Sequence, residues 1–227
     1  MAQDLTRQIA GVAIPNTPIV LKALAYARSH SDDMTYNHVL RSCLFGFVIA
    51  DKSPNLRDRD REVHAVAAIL HDLGWDNTGE LVSEDKRFEV DGAIAARTFL
   101  DDNAEEWDHR RKQLVWDAIA LHTTFSIAMY KEAEVVATTQ GILADFAGPD
   151  NVPGGLLTWD EYNEIVKALP REGLVAGCRE IFCILCRTKP ETTYDNIVSQ
   201  WGEKYVEGYT LDGQRAIDRM EGYELGD

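Results

Sequence analysis

Long apolar runs are missing from this sequence, and none of its hydrophobic stretches approaches the length needed to span a bilayer. The first residues also lack the basic segment and following apolar stretch of a secretory signal. The last residues match no retention or lipidation motif. We therefore expect a cytoplasmic protein that does not insert into a membrane.

Positive charge is scarce, because 23 lysines and arginines face 38 aspartates and glutamates, which gives a formal net charge of −15. A field of this sign repels polyanions, so we expect neither a nucleic acid nor an anionic membrane surface as a partner. It also disfavours a highly anionic substrate, unless a local basic pocket overrides the global field. The expected partner is a small-molecule substrate.

Cysteine is sparse as well, with four in the chain. Cys183 and Cys186 form a Cys-x-x-Cys pair, which is half of a typical zinc site. The second pair is missing, and large apolar residues surround these cysteines in the sequence. We therefore interpret Cys178, Cys183 and Cys186 as small buried hydrophobic residues of a core helix.

Helical periodicity dominates the sequence, whereas alternating strand-like runs bounded by hairpin turns are absent. Apolar residues recur on one stripe at 36–50 and again at 60–73, where Gly74 follows as a natural helix end. Further helices are predicted at about 89–101, 111–122, 134–147, 159–168, 173–187 and 193–207, with a short one at 212–220. The predicted fold class is all-α.

The length of 227 residues favours one domain over two. Loops are predicted at 51–59, 76–87 and 148–157, where Gly, Pro, Asn and charge accumulate. The last of these is short enough to be a loop within one domain. We expect a single helical domain over residues 1–227, with a core at about 30–150 and C-terminal helices at 155–220 packed on it.

Histidines and acids in apolar helices are the informative feature of the sequence. His71 and Asp72 close the helix at 60–73, and adjacent helical residues point about 100° apart, so the pair can reach one cation from two sides of a pocket. A metal would also offset the cost of burying that carboxylate. His38 lies on an earlier apolar helix, and Asp145 is an isolated acid on a later one, where a carboxylate must be paired or ligating.

The order His, His-Asp, Asp resembles the signature of the HD-domain superfamily over roughly residues 30–150. This resemblance implies a helical bundle in which His38, His71, Asp72 and Asp145 bind one divalent metal ion. Zinc or iron suits mixed imidazole and carboxylate ligation, and manganese is less favoured.

A second resemblance concerns the block from Arg87 to Leu100 and the run Ala118–Thr123, which are similar to the cyanamide-hydratase-like branch of that superfamily. The best-known activity of the branch adds water to cyanamide and gives urea. Residues 89–92 read Glu-Val-Asp-Gly, which departs from the Glu-Tyr-Tyr/His-Gly type of block in established hydratases. The departure concerns the identity of the substrate more than the class of reaction.

Superfamily members with two metals use two further histidines between the His-Asp pair and the last aspartate. Here that interval contains His109, in a polar stretch, and His122, on an apolar helix. One such histidine favours a mononuclear site in which His122 is catalytic, although a core histidine with satisfied hydrogen bonds is the alternative. Asp72 is the second candidate for proton transfer.

Candidate substrate-binding residues are the polar or aromatic ones expected near the metal: Arg41, Trp75, Glu89, Asp91 and Phe125. For the arginine, one turn from His38, a salt bridge is the commoner role. Of the two acids, one is expected to be functional and the other to be a helix N-terminal acid favoured by the helix dipole. The two aromatic residues line a pocket or belong to the core.

These features predict a hydratase or hydrolase for a small, uncharged, nitrogen-rich molecule such as cyanamide. A bound metal lowers the pKa of its water toward neutrality and so supplies hydroxide to attack an electrophilic carbon. The enzymatic alternative is a phosphohydrolase acting on a nucleotide or other phosphate monoester, which needs basic side chains near the metal. A metal-stabilised binding protein without turnover is a third reading, and a homodimer is common for helical enzymes of this size.

Overall fold

The computed structural model describes residues 6–223, and over that range the protein is all-α with one small sheet. The helices are α1 (Pro18–Ser29), α2 (Asp33–Lys52), α3 (Arg61–Leu70), α4 (Phe88–Asn103), α5 (His109–Leu121), α6 (Phe125–Ala128), α7 (Ala133–Ala147), α8 (Trp159–Ala168), α9 (Leu174–Thr188), α10 (Val198–Tyr205) and α11 (Ala216–Glu221). Short 3-10 turns lie at Leu73–Trp75, Pro149–Asn151, Pro153–Gly155 and Pro190–Thr192. The predicted fold class is confirmed.

The expectation that hairpin strands are absent is wrong for the beginning of the described chain. Strands β1 (Thr6–Ile9) and β2 (Val12–Pro15) pair antiparallel, with Ile9 opposite Val12. The two-residue turn between them places Ala10 at φ 47° and Gly11 at φ 79°, the left-handed pair that suits a tight hairpin. Because β1 is largely exposed, it lacks the apolar alternation that marks a half-buried strand.

Helix α1 also lies outside the predicted helices. It begins with Pro18 after Thr17, and proline is favoured at the first position of a helix because its missing N–H has no partner to lose there. Its buried face consists of five apolar residues at helical spacing: Ile19, Val20, Ala23, Leu24 and Ala27. The signal for this helix was therefore present in the sequence.

The chain divides into two compact units. The first comprises the residues up to Val82 together with Phe88–Glu172, and the second comprises Ser83–Arg87 together with the residues from Gly173 onward. In the second unit α9 packs on α10, and Cys178, Cys183 and Cys186 are buried and form no disulfide, as expected. The single-domain organisation stays a prediction.

Helix α3 forms the centre of the first unit. Asp60 caps it by accepting hydrogen bonds from the main-chain N–H groups of Glu62 and Val63, and every side chain from Val63 to Leu70 is buried. Helices α1, α2, α5 and α7 pack around it. Among the described residues, no helix is long and apolar enough to cross a membrane.

Two glycines let α2 and α7 cross at close range. A Cβ on Gly141 would lie 2.1 Å from the carbonyl oxygen of Ser42, and a Cβ on Gly46 would lie 2.8 Å from that of Ala137. Only glycine permits such an approach of two backbones. The crossing places His38, two turns before Gly46, beside Asp145, one turn after Gly141.

Gly74 and Gly92 bring the start of α4 against the turn that follows α3. A Cβ on Gly74 would lie 1.9 Å from the carbonyl oxygen of Phe88, and one on Gly92 would lie 3.3 Å from that of His71. The first turn of α4 therefore rests directly on the His71–Trp75 segment. This contact carries Glu89 and Asp91 into the interior, where both are buried.

Candidate metal centre

His71 and Asp72 occupy the end of the buried helix α3. His71 is its C-terminal cap and donates a hydrogen bond from Nδ1 to the carbonyl oxygen of Ala68 at 2.8 Å. Asp72 follows as the residue that leads into the Leu73–Trp75 turn. Both side chains are at most 1% exposed, so the sequence places a carboxylate and an imidazole side by side away from water.

His38 reaches the same point from α2. Its Nε2 lies 3.3 Å from Nε2 of His71 and 3.4 Å from Oδ2 of Asp72. Nε2 of His71 lies 3.1 Å from that same carboxylate oxygen. One ligand atom from each of the three residues therefore lies within 4.8 Å of the other two.

These three separations are those of ligands around one small cation. Metal–ligand bonds of about 2.0–2.1 Å at tetrahedral angles place neighbouring ligand atoms about 3.3–3.4 Å apart. The observed distances of 3.1, 3.3 and 3.4 Å match that edge length. The three residues thus fit a divalent metal and leave further coordination positions for water or substrate.

The hydrogen bonds around the group also call for a cation. Nδ1 of His38 bonds Asp145, and Nδ1 of His71 bonds the carbonyl oxygen of Ala68, so Nε2 is the nitrogen of each ring that faces Asp72. Within residues 6–223, neither carboxylate oxygen of Asp72 accepts a hydrogen bond. A buried carboxylate that faces two imidazole nitrogens and accepts no hydrogen bond is costly unless a positive charge lies between them.

The closeness of these side chains shifts the pKa values of His71 and Asp72. Burial lowers the pKa of His71, but the neighbouring carboxylate of Asp72 outweighs burial and raises it above its ordinary value. Burial raises the pKa of Asp72, but His71 and then His38 outweigh it and lower the value. Both shifts favour a positive charge beside the carboxylate of Asp72.

His122 faces the other oxygen of Asp72. It caps the end of α5 as His71 caps α3, and its Nδ1 likewise donates to a carbonyl oxygen three residues earlier, that of Ile119, at 2.7 Å. Its Nε2 lies 3.6 Å from Oδ1 of Asp72. Burial lowers the pKa of His122 to about 4, aided by positive charge on His71, so the ring is neutral at pH 7.

Asp145 lies behind His38, on the side of the imidazole away from the group. Its Oδ2 accepts from Nδ1 of His38 at 2.7 Å, and Arg41 donates to both carboxylate oxygens at 2.8 Å. Burial raises the pKa of Asp145, but the hydrogen bonds from His38 and Arg41 outweigh it and lower the value to about 2. The carboxylate is ionised and fully engaged.

Arg41 is buried, and its guanidinium group bonds Asp145 on the far side of His38 from His71 and Asp72. Besides Asp145, its Nη1 donates to the carbonyl oxygens of Leu169 and Pro170 at 3.1 and 2.7 Å. With its guanidinium bonded on three sides, this arginine forms the salt bridge that was the commoner expectation for it. Its role in binding substrate stays a prediction.

Aromatic rings enclose the group. Trp75 stacks along His38 with ring centroids 6.2 Å apart, Phe146 tilts against His38 at 5.0 Å, and Phe88 meets His122 edge to face at 5.5 Å. Trp75 and Phe88 also touch, at 5.7 Å. The side chains of His38, His71 and Asp72 are at most 1% exposed, and burial of this kind strengthens electrostatic interactions among them.

Glu89 and Asp91 both lie in the first turn of α4. Glu89 is fully buried and accepts a short hydrogen bond from the hydroxyl of Thr123, the residue after His122. The charge of Glu89 acts on His122 and opposes the lowering of its pKa by burial. Which of the two acids is functional stays a prediction. Phe125 is half-buried at the first residue of α6, three positions beyond His122.

Three residues near the site carry little signal in the sequence. Thr123 lies within the run Ala118–Thr123, but nothing in that run predicts that its hydroxyl holds a buried glutamate. Phe146 follows Asp145 and reads as one more apolar helix residue. Arg171 follows Asp145 by 26 positions in the sequence, and its Nε lies 3.2 Å from Oδ1 of that residue. Local sequence patterns do not extend over this separation.

Comparison with known families agrees with this geometry. Residues 35–145 match the family model described as HD domain. The matched residues begin in α2 and end at Asp145, and the match supports the resemblance to the HD-domain superfamily. HD domains are generally metal-dependent hydrolases. Among curated proteins, none matches the chain.

Proposed function

We propose that this protein is a metal-dependent hydratase or hydrolase acting on a small, uncharged, nitrogen-rich substrate such as cyanamide, which hydration converts to urea. The observation that carries the proposal is the convergence of His38, His71 and Asp72 at the edge lengths of one metal coordination shell. Zinc or iron suits this mixture of imidazole and carboxylate, with manganese less favoured.

A small uncharged substrate suits the surroundings of the group. The three ligand side chains are at most 1% exposed, and rings of Trp75 and Phe146 flank His38. A dry pocket with aromatic walls favours a compact neutral molecule over a solvated anion. The resemblance of the 87–100 and 118–123 blocks to the cyanamide-hydratase-like branch supports the same substrate class.

A phosphohydrolase remains the second candidate, because the HD domain alone accommodates it equally well. Such a site needs lysine or arginine side chains aimed at phosphate oxygens. Arg41 is instead bonded to Asp145, and Arg59 to His64 at 2.8 Å. Arg61 pairs with Asp51. These arrangements disfavour a phosphate ester as the substrate.

A divalent metal bound by His38, His71 and Asp72 would supply Lewis acidity, which lowers the pKa of water toward neutrality. In this proposal His122 moves the proton. Two observations support the role: its Nε2 lies 3.6 Å from Oδ1 of Asp72, and its lowered pKa, about 4, leaves the ring neutral and able to accept a proton from water. In a hydration, one proton of water passes to His122 while the water oxygen bonds to the nitrile carbon and one π bond of the C≡N group opens. His122 then returns the proton to the nitrile nitrogen, and the resulting isourea gives urea when its O–H proton moves to nitrogen. Glu89, held by Thr123, lies close enough to stabilise positive charge on His122 while it carries that proton.

The direct test is urea formation from cyanamide by purified, metal-loaded protein. We expect urea that disappears after chelation and returns on addition of zinc or iron. His122→Gln should retain metal and lose at least a hundredfold in turnover, because general acid–base catalysis contributes about 10²–10⁴-fold. The exposed His109→Gln, at the other end of α5, is the matched control and should behave as the wild type.

Release of phosphate from nucleotides, measured on the same preparation, decides between the two candidates. Phosphate release with no urea from metal-loaded protein would favour the phosphohydrolase. Neither product, with full metal occupancy, would reject both substrate classes and leave only the metal site.

A further inference from the structure

We infer that Asp145 is a positioning residue, which orients His38 from outside the metal's ligand set together with Arg41 and Arg171, and does not bind the metal itself. The inference rests on the proposed metal-dependent function and concerns the same site. It departs from the ligand set that the superfamily signature implies for the last aspartate.

The first step is the direction from which Asp145 meets His38. Oδ2 of Asp145 lies 2.7 Å from Nδ1 of His38, whereas the contacts of His38 with His71 and Asp72 are made by Nε2, on the other edge of the ring. Among the described residues, the group whose ligand atoms lie within 4.8 Å of one another contains His38, His71 and Asp72, and Asp145 stands outside it.

The second step is the occupancy of the carboxylate. Oδ1 accepts from Nε of Arg41, and Oδ2 accepts from Nη2 of Arg41 as well as from His38. Nε of Arg171 adds a second positive charge 3.2 Å from Oδ1. Both oxygens of the carboxylate are therefore engaged, and Oδ2 is held against the edge of the His38 ring opposite to Nε2, away from the group of ligand atoms.

The arrangement instead has the form of an outer-shell support. A histidine that binds a metal through one nitrogen commonly donates the N–H of its other nitrogen to a carboxylate, which fixes the tautomer and the angle of the ring. Asp145 performs this task for His38 in the same way that main-chain carbonyls do for His71 and His122. All three rings thereby present Nε2 to the site.

Arg171 extends this support beyond the residues that match the HD domain. It lies in the segment after α8, and its guanidinium contacts both the carboxylate and the main-chain oxygen of Asp145. Arg41 holds the same segment by donating to the carbonyl oxygens of Leu169 and Pro170. The chain after α8 is thus tied to the residue that orients His38, so we expect Arg171 to influence metal affinity without touching the metal.

The experiment measures binding of zinc by competition with a chromophoric chelator, and the visible absorption of the cobalt-substituted protein. Asp145→Asn should still bind one metal at saturation, with affinity about 10–100-fold weaker and a cobalt spectrum like that of the wild type, because the coordinating atoms are unchanged. His71→Gln removes a coordinating atom and should abolish tight binding and change the spectrum.

Arg171→Gln keeps the inference testable if Asp145→Asn does not fold, because Arg171 is partly exposed. We expect a several-fold loss of zinc affinity and an unchanged cobalt spectrum, whereas Arg28→Gln, an exposed arginine paired with Asp33, should bind zinc as the wild type does. Circular dichroism confirms that each variant is folded.

Three outcomes contradict the account in different ways. If Asp145→Asn loses metal as completely as His71→Gln, or changes the cobalt spectrum, Asp145 is a ligand and the inference is overturned while the proposed function stands. If Arg171→Gln binds zinc with wild-type affinity, Arg171 has no positioning role. If the wild type binds no metal, the proposed function itself fails, and the inference with it.

Discussion

Replacement of Gly141 by alanine tests whether the close crossing of α2 and α7 positions the site. The added Cβ would lie 2.1 Å from the carbonyl oxygen of Ser42, and 2.7 and 2.8 Å from the main-chain N and Cα of Gly46. Ordinary contact begins at 3.4 Å, so the shortest of these contacts falls short by 3.4 − 2.1 = 1.3 Å. All three neighbours are backbone atoms, which means that the helices themselves must move apart.

The expected cost follows from two opposing effects. Inserting an atom into a packed contact costs about 1–3 kcal/mol, while alanine in place of glycine inside a helix returns about 1 kcal/mol. Because backbone atoms yield less than side chains, we expect the upper part of that range and a net loss of about 2 kcal/mol in the free energy of unfolding. His38 and Asp145 lie on the two helices that separate, so zinc affinity should fall as well.

Urea unfolding followed by circular dichroism measures the first effect, and zinc competition measures the second. Ala147→Ser adds one atom at an exposed position of the same helix and should change neither quantity. If Gly141→Ala stays within about 0.5 kcal/mol of the wild type and binds zinc equally well, the crossing does not position the site.

Two further predictions concern His122 and Thr123. The pKa of His122 is about 4 in the folded protein and about 6.5 in the unfolded chain, so the unfolded chain binds a proton on His122 more readily. The stabilisation that this residue contributes is therefore fully present above pH 6.5 and is lost as the pH falls toward 4. Unfolding of metal-free protein should therefore become easier by about 2 kcal/mol between pH 7 and pH 5, and His122→Gln should remove that part of the slope; an unchanged slope would contradict the assigned burial. Thr123→Val removes the hydroxyl that donates to buried Glu89 and should lower the free energy of unfolding by about 1–3 kcal/mol, measured by thermal or urea unfolding. Thr98→Val, at an exposed position on α4, should change it by almost nothing. Equal effects of the two substitutions would refute the role of the Thr123 hydroxyl.

Much of the fold follows from apolar periodicity and helix ends. Helix α8 has the predicted bounds, because burial on one stripe and local capping act within a few residues. Helix α3 ends at Leu70, three residues before the predicted end at 73, and Gly74 lies in the 3-10 turn that follows instead of ending the helix. The hairpin at Thr6–Pro15 escaped prediction since its first strand is exposed and its turn uses Ala-Gly rather than a stronger turn pair.

The candidate site was predictable in its residue types and less so in its geometry. His38 lies on the buried helix α2, and His71 and Asp72 directly follow the buried helix α3. A buried histidine or acid needs a polar partner, so their residue types predict that they meet. The sequence cannot show on which side of His38 the carboxylate of Asp145 lies, because that depends on the helix crossing at Gly46 and Gly141. The substrate, the identity of the metal and a homodimer stay predictions.

The most direct test of the central claim is the metal content of the purified wild type beside that of Asp72→Asn, a variant of nearly the same shape. We expect about one zinc or iron per chain in the wild type, and in the variant a large loss of metal with retained helical structure, because Asp72 supplies the negative charge of the group. Equal metal content in the two proteins, or none in the wild type, would contradict a metal centre formed by His38, His71 and Asp72.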